Sequence, residues 1–260
     1  SQACSPGLCI DDLEILGGLK ARQVFYDMKL DKPTTNYVQA FSPIEIKNSI
    51  DIGSNVIKTY NDTVKLTQNA SIVRTSGFIE GNLAKYFDNS WNGLERTFEL
   101  GSGSCYSPVT VKFKNIASPG YFVIKSVGTE YSNVPVITEA LKRYWIYSGV
   151  EGMIYDSVYS RFRYCSEDFN TELIEKDDEY GMLLGKYYNG WTYPYVYGRD
   201  TSGAGGTISI RENTGYNGPY TCFKYSPPVF RSGIASGEHC LNDSLILIAD
   251  VKSSTSKSYQ

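Results

Sequence analysis

The feature that most constrains this chain is a side-chain period of two. "ARQVFYDMKL" (21–30), "NVIKTYNDTVKL" (55–66), "SIVRTSGFIEG" (71–81), "ERTFEL" (95–100), "PVTVKFKNI" (108–116) and "GYFVIKSV" (120–127) alternate apolar with polar residues or run apolar, rich in β-branched and aromatic side chains. Gly, Pro, Asn, Asp and Ser punctuate them. "RYWIYSG", "MIYDSVYSRFRYC", "GTISIRE", "PYTCFKY" and "SLILIADVK" continue the series. Successive strand residues point to opposite faces, so this pattern half-buries each segment in a sheet. The spacing predicts an all-β protein, a meander or sandwich of antiparallel sheets. Helical spacing is confined to "CIDDLEILGGLK" (9–20) and "PVITEALKRYW" (135–145), which predict one or two short helices, the second with Ile137, Ala140 and Leu141 on one face. No internal repeat is read. The length and patterning predict one domain over 1–252, followed by a polar tail at 253–260 expected to be disordered.

Charge and cysteines bear on compartment. A net charge of -3 and scattered basic residues predict no nucleic-acid binding. No run reaches the roughly 18 apolar residues that a membrane span needs. An opening "SQACSPGLC" without Met, the sequons at Asn61, Asn69 and Asn242, and an even set of cysteines together predict a secreted glycoprotein. Cys4, Cys9, Cys105, Cys165, Cys222 and Cys240 are expected in three disulfides whose pairing the spacing leaves open.

Catalytic signatures are missing. The one histidine, His239, precedes Cys240, and neighbours on a strand point to opposite faces, so a Cys–His nucleophile pair is not expected. "GSGSC" (101–105) lacks the glycine spacing of a nucleophile elbow. The acidic run "EKDDEY" (175–180), with Glu172, reads as a solvated turn rather than a glycosidase pair. It offers oxygen ligands for a weak Ca2+ site without EF-hand spacing. The reading is therefore a non-enzyme with no covalent cofactor and no assigned metal site.

The remaining signal is aromatic. "YYNGWTYPYVYG" (187–198) alternates Tyr193, Tyr195 and Tyr197 on one strand face, with Thr192 and Val196 on the other. Pro194 cannot donate to a ladder, which predicts an edge or a break in pairing. Tyr numbers 22 against 11 Phe, and phenols suit places where an apolar ring meets water. The expected ligand-binding residues are Tyr187, Tyr188, Trp191, Tyr193, Tyr195 and Tyr197, then Trp145 and Tyr147. Their expected ligand is an elongated hydrophobic molecule, a fatty acid, retinoid or carotenoid. The alternative is a structural or adhesive extracellular glycoprotein with a protein or glycan partner. A contiguous exposed aromatic patch also predicts a homo- or heterodimer that covers it.

"CSPG" followed by "LKARQVFYD", with Arg22, Tyr26 and Asp27 at the matching positions, resembles the ependymin-related pattern. "SGSCYSPVTVKF" and "YSPPVFRSGIASGEHC" are similar to later segments of that family. The resemblance implies two stacked, curved antiparallel sheets forming a half-open barrel around an apolar cavity. It also implies secretion, glycosylation, dimerisation and binding of a hydrophobic molecule, with calcium an associated ion.

Overall fold

A computed structural model describes residues 22–31, 37–134, 139–169, 182–201, 205–213, 218–224, 229–230 and 249–250. The all-β expectation holds: these residues are mostly strand, and no α-helix occurs among them. The segment 9–20, the acidic run at 175–180, Glu172, His239, Asn242, the tail at 253–260, and Cys4, Cys9 and Cys240 lie outside the described residues.

The first third is not the antiparallel meander that alternation suggests. Strands β1 (Gln23–Lys29), β2 (Tyr37–Gln39), β3 (Ile44–Gly53), β4 (Val56–Leu66), β5 (Ser71–Arg74) and β6 (Phe78–Phe87) pair in parallel. Gln23 sits beside Ile44, Ile44 beside Val64, and Val64 beside Leu83. A second stack runs from Asp27 to Ser49 to Ser71, and a third from Tyr37 to Val56 to Phe78. The chain thus winds as a three-sided parallel coil with a turn of roughly twenty residues, a solenoid logic in which each turn buries its apolar side on the next. Ile44, Ile46, Ile50, Ile52, Ile57, Val64, Leu66, Ile79 and Leu83 fill its interior. The repeat is structural, carried by equivalent inward positions and not by repeated residues, so the sequence itself shows none. One close approach depends on glycine. Gly81 has φ +133, and a Cβ there would lie 2.0 Å from Thr59 Oγ1.

After β6 the chain turns antiparallel. It continues through β7 (Glu95–Phe98), β8 (Gly101–Ser102), β9 (Cys105–Tyr106), β10 (Val109–Ser118), β11 (Gly120–Val127), β12 (Glu139–Glu151) and β13 (Ile154–Cys165). β14 (Met182–Tyr187), β15 (Trp191–Thr192), β16 (Tyr195–Asp200), β17 (Gly205–Asn213), β18 (Gly218–Lys224), β19 (Val229–Phe230) and β20 (Ala249–Asp250) follow. The coil is continuous with an 11-stranded mixed sheet in the order β1-β3-β4-β6-β11-β12-β18-β14-β15, with β2 and β5 pairing beside it. A 5-stranded sheet, β16-β17-β13-β10-β7, covers the antiparallel part.

The two sheets meet through aromatic rings. Phe122 of β11 lies 5.0 Å from Phe113 of β10, Tyr147 of β12 stacks on Phe162 of β13 at 6.0 Å, and Tyr220 of β18 is 5.3 Å from Phe162. The expected helix over 135–145 is also corrected. Residues from Glu139 onward form β12, because Leu141, Arg143, Trp145 and Tyr147 point inward at period two between β11 and β18. Aromatic and β-branched residues favour that pleated, half-buried setting over a helix.

Candidate functional site

Trp145 and Tyr147, expected in a ligand cleft, are core. Their exposures are 0% and 1%, and Tyr147 Oη donates to Ser160 Oγ at 2.5 Å. The other six expected residues lie together at one end of the molecule, where the large sheet finishes with β15 and the smaller begins with β16. Pro194 stands in the break between those strands, which is where a residue without an amide hydrogen costs no ladder bond.

The tyrosine ladder is split by that break. Tyr193 packs on Phe223 at 5.7 Å, on the large sheet. Tyr195 pairs with Arg211, and Tyr197 meets Tyr159 edge-on at 5.9 Å, on the outer face of the smaller sheet. A bulge between Val196 and Gly198 re-aims the strand at this point. Tyr193, Tyr195 and Tyr197 are 56%, 73% and 50% exposed.

On the large-sheet side Trp191 anchors the cluster. Its ring lies 5.4 Å from Tyr187, 5.4 Å from Phe223 and 6.0 Å from Tyr131, and its Nε1 donates to the Asn133 carbonyl at 3.0 Å. Tyr131 also packs on Tyr144 at 5.2 Å. Gly185 makes room: a Cβ there would fall 2.4 Å from Phe223 and 2.7 Å from Trp191. Tyr188 is exposed at the turn between β14 and β15. The result is an aromatic belt that wraps one edge of the sandwich. Tyr131, Tyr144, Tyr159 and Phe223 escaped the sequence reading because only cross-strand neighbours, not spacing, bring them there.

A second feature is a cleft of about 460 Å³ lined by Gln68, Asn69, Lys85, Trp91, Arg96 and Glu99 among others. The Arg96 guanidinium lies 4.6 Å from the Trp91 ring centre and donates to the Ala70 carbonyl at 2.9 Å. Burial lowers its pKa to about 10. Lys85 donates to Glu99 at 2.6 Å, and burial lowers its pKa as well. These cations are already bonded within the protein, so the cleft is a structural polar network. Asn69 is exposed in the turn before β5, and Asn61 is exposed in β4.

Cys105 and Cys165 form a disulfide that joins β9 to the end of β13. Cys222 is a buried free thiol, correcting its expected place in a disulfide. Cys105, Cys165 and Asp168 are close enough to suggest a metal site, but the sulfurs are bonded to each other and Asp168 accepts from Arg143 Nε at 2.7 Å and the Cys165 amide at 2.8 Å. Those contacts leave structural chemistry only. No helix among the described residues is long and apolar enough to cross a membrane. Neither a family model, nor a curated protein, nor a solved structure matches the chain.

Proposed function

We propose that the protein is a non-enzymatic extracellular recognition module that grips a partner across the aromatic belt around Trp191, Tyr195 and Tyr197. The observation that carries this reading is the exposure of the tyrosines: the rings project from a braced edge to solvent, a placement that suits contact with another molecule. The Cys105–Cys165 bond and the exposed sequons at Asn61 and Asn69 support an oxidising, glycosylating compartment.

A carrier of an elongated hydrophobic molecule has less support. Trp145 and Tyr147 are packed against Phe162, and Tyr147 against Phe122, so they do not wall a shared cleft with the belt. The belt itself lies on the outside. Glycan arrays and cell-surface binding with the wild type and a Tyr195→Ser/Tyr197→Ser variant test the proposal. It predicts surface binding that the variant loses while its melting temperature is kept. Organic extraction of native-source protein that yields a stoichiometric lipid or carotenoid, with no surface binding, would replace it with the carrier reading.

A further inference from the structure

The belt continues into a charged face. Across the smaller sheet, register places Glu95 beside Lys112, Lys112 beside Tyr159, Tyr159 beside Arg211, and Arg211 beside Tyr195. Paired residues of an antiparallel sheet share a face, so this is one transverse row on the outside. Lys112 Nζ lies 5.1 Å and the Arg211 guanidinium 5.4 Å from the Tyr159 ring centre, holding both cations in line. The neighbouring rows add Arg161, between Thr110 and Ser209, and Arg163, beside Thr207; Lys114 lies beyond the first row.

Against these five cations the same face carries Glu95, which pairs with Arg161 at 3.1 Å, and Asp200 beside Thr207. Among the described residues, Lys112, Lys114, Arg163 and Arg211 have no ion-pair partner. A protein of net charge -3 has therefore gathered cations on one sheet face, with Tyr195 and Tyr197 at its border. This corrects the sequence picture of scattered charge. The cations lie far apart in the chain and are collected by strand pairing.

We propose that this face binds an anionic polysaccharide, its sulfate or carboxylate groups meeting Lys112, Arg161, Arg163 and Arg211 and its sugar rings resting on Tyr195 and Tyr197. The proposal deepens the recognition reading and rests on it. Strands about 4.8 Å apart and alternate residues about 7 Å apart along a strand set the cations in a regularly spaced array, suited to a chain with charges repeated along its length. The cations are spread over three strands, β10, β13 and β17, rather than gathered at one point. The choice of a polysaccharide over nucleic acid follows from the Cys105–Cys165 bond, which fixes the end of the strand bearing Tyr159, Arg161 and Arg163 and belongs to an oxidising compartment. Because the molecule as a whole is acidic, attraction is local. It fades within a Debye length of about 8 Å at physiological salt, so binding must be salt-sensitive.

The test uses the full chain on immobilised heparin, on neutral dextran and on single-stranded DNA. Wild type is expected to be retained by heparin and released by salt, and to pass through dextran. Lys112→Glu/Arg211→Glu should weaken heparin binding by about tenfold or more with an unchanged melting curve. Lys29→Glu/Lys142→Glu, a pair of exposed cations elsewhere, should leave it unaltered. Should the first pair fold poorly, Arg163→Gln on its own is expected to lower the eluting salt. No retention of wild type, equal loss in the control pair, or tighter binding to DNA overturns the proposal. If a neutral glycan or a protein binds through Tyr195 and Tyr197 while the charge reversals do nothing, the polyanion assignment alone falls. If no surface ligand binds, the recognition reading falls with it.

Discussion

Arg143 donates its Nε hydrogen to Asp168 Oδ2 at 2.7 Å, with side-chain exposures of 2% and 4%. Its Nη1 donates to Ser107 Oγ at 2.9 Å and Ser126 Oγ at 3.0 Å, while Asp168 also accepts from the amide of Cys165. The pair thus ties β12 to the disulfide and to the loop before β10. Removing one partner leaves a buried charge uncompensated. Asp168→Asn or Arg143→Met should each lower stability by about 3–5 kcal/mol, and the double change by less than the sum, measured by denaturant unfolding. Additive losses would show that the two groups act separately.

Alkali should unfold the protein cooperatively. Burial raises the Tyr147 and Tyr220 phenols well above the ordinary value of 10.0, with the neighbouring Glu212 adding to it in both. Groups raised in the fold contribute fully below the unfolded value and lose that contribution as pH climbs toward the folded one. Stability should therefore fall above about pH 10. Lys85 and Arg96 work in the opposite direction: burial lowers both, so each lets stability grow with pH until its unfolded value is passed. The two strongly raised phenols, with the buried Cys222 thiol, outweigh them. Tyrosinate absorbance and circular dichroism should change together, and Tyr147→Phe/Tyr220→Phe should move the transition to higher pH.

The parallel coil can be probed at Gly81. Alanine there combines φ +133 with a clash against Thr59 Oγ1, and should cost roughly 2–4 kcal/mol. Gly93, at φ +73 with open space for 4 Å around the position a Cβ would take, is the comparison. Its alanine variant should lose only about 1 kcal/mol from backbone strain. Equal losses in chemical denaturation would remove the close approach as the cause.

Cys222 offers a redox prediction. Its thiol is buried and burial raises its pKa strongly, so it should resist alkylation in native protein and react once the chain is unfolded. Peptide mapping after native and denatured labelling reads this directly. Native labelling at the rate of a free thiol would show that the strand β18 opens.

The aromatic belt leads to a prediction on association. If a second subunit covers it, Tyr193→Ser/Tyr195→Ser should weaken self-association by about 2–4 kcal/mol in sedimentation equilibrium. A monomer at all concentrations in the wild type would assign the belt to an outside partner alone.

Period-two alternation by itself determined that this chain is built of strands, because the pleat sends alternate residues to opposite faces whatever the partner strand is. It also located the edge at Pro194, since a missing amide hydrogen is a local property. Alternation is blind to the direction of pairing: Ile44, Ile46, Val64 and Leu66 read the same in a meander as in the parallel coil where they are found. Local helical spacing at Ala140 and Leu141 was overruled by the two strands flanking β12. Only the tertiary structure decided which aromatics are closed in and which face water. Trp145 and Trp191 are the same residue type in similarly aromatic segments, yet one lies between two sheets and the other at their rim. The cationic face shows the same dependence. Lys112, Arg161 and Arg211 lie on three strands, and only cross-strand register, set by core packing on the opposite face, brings their charges together.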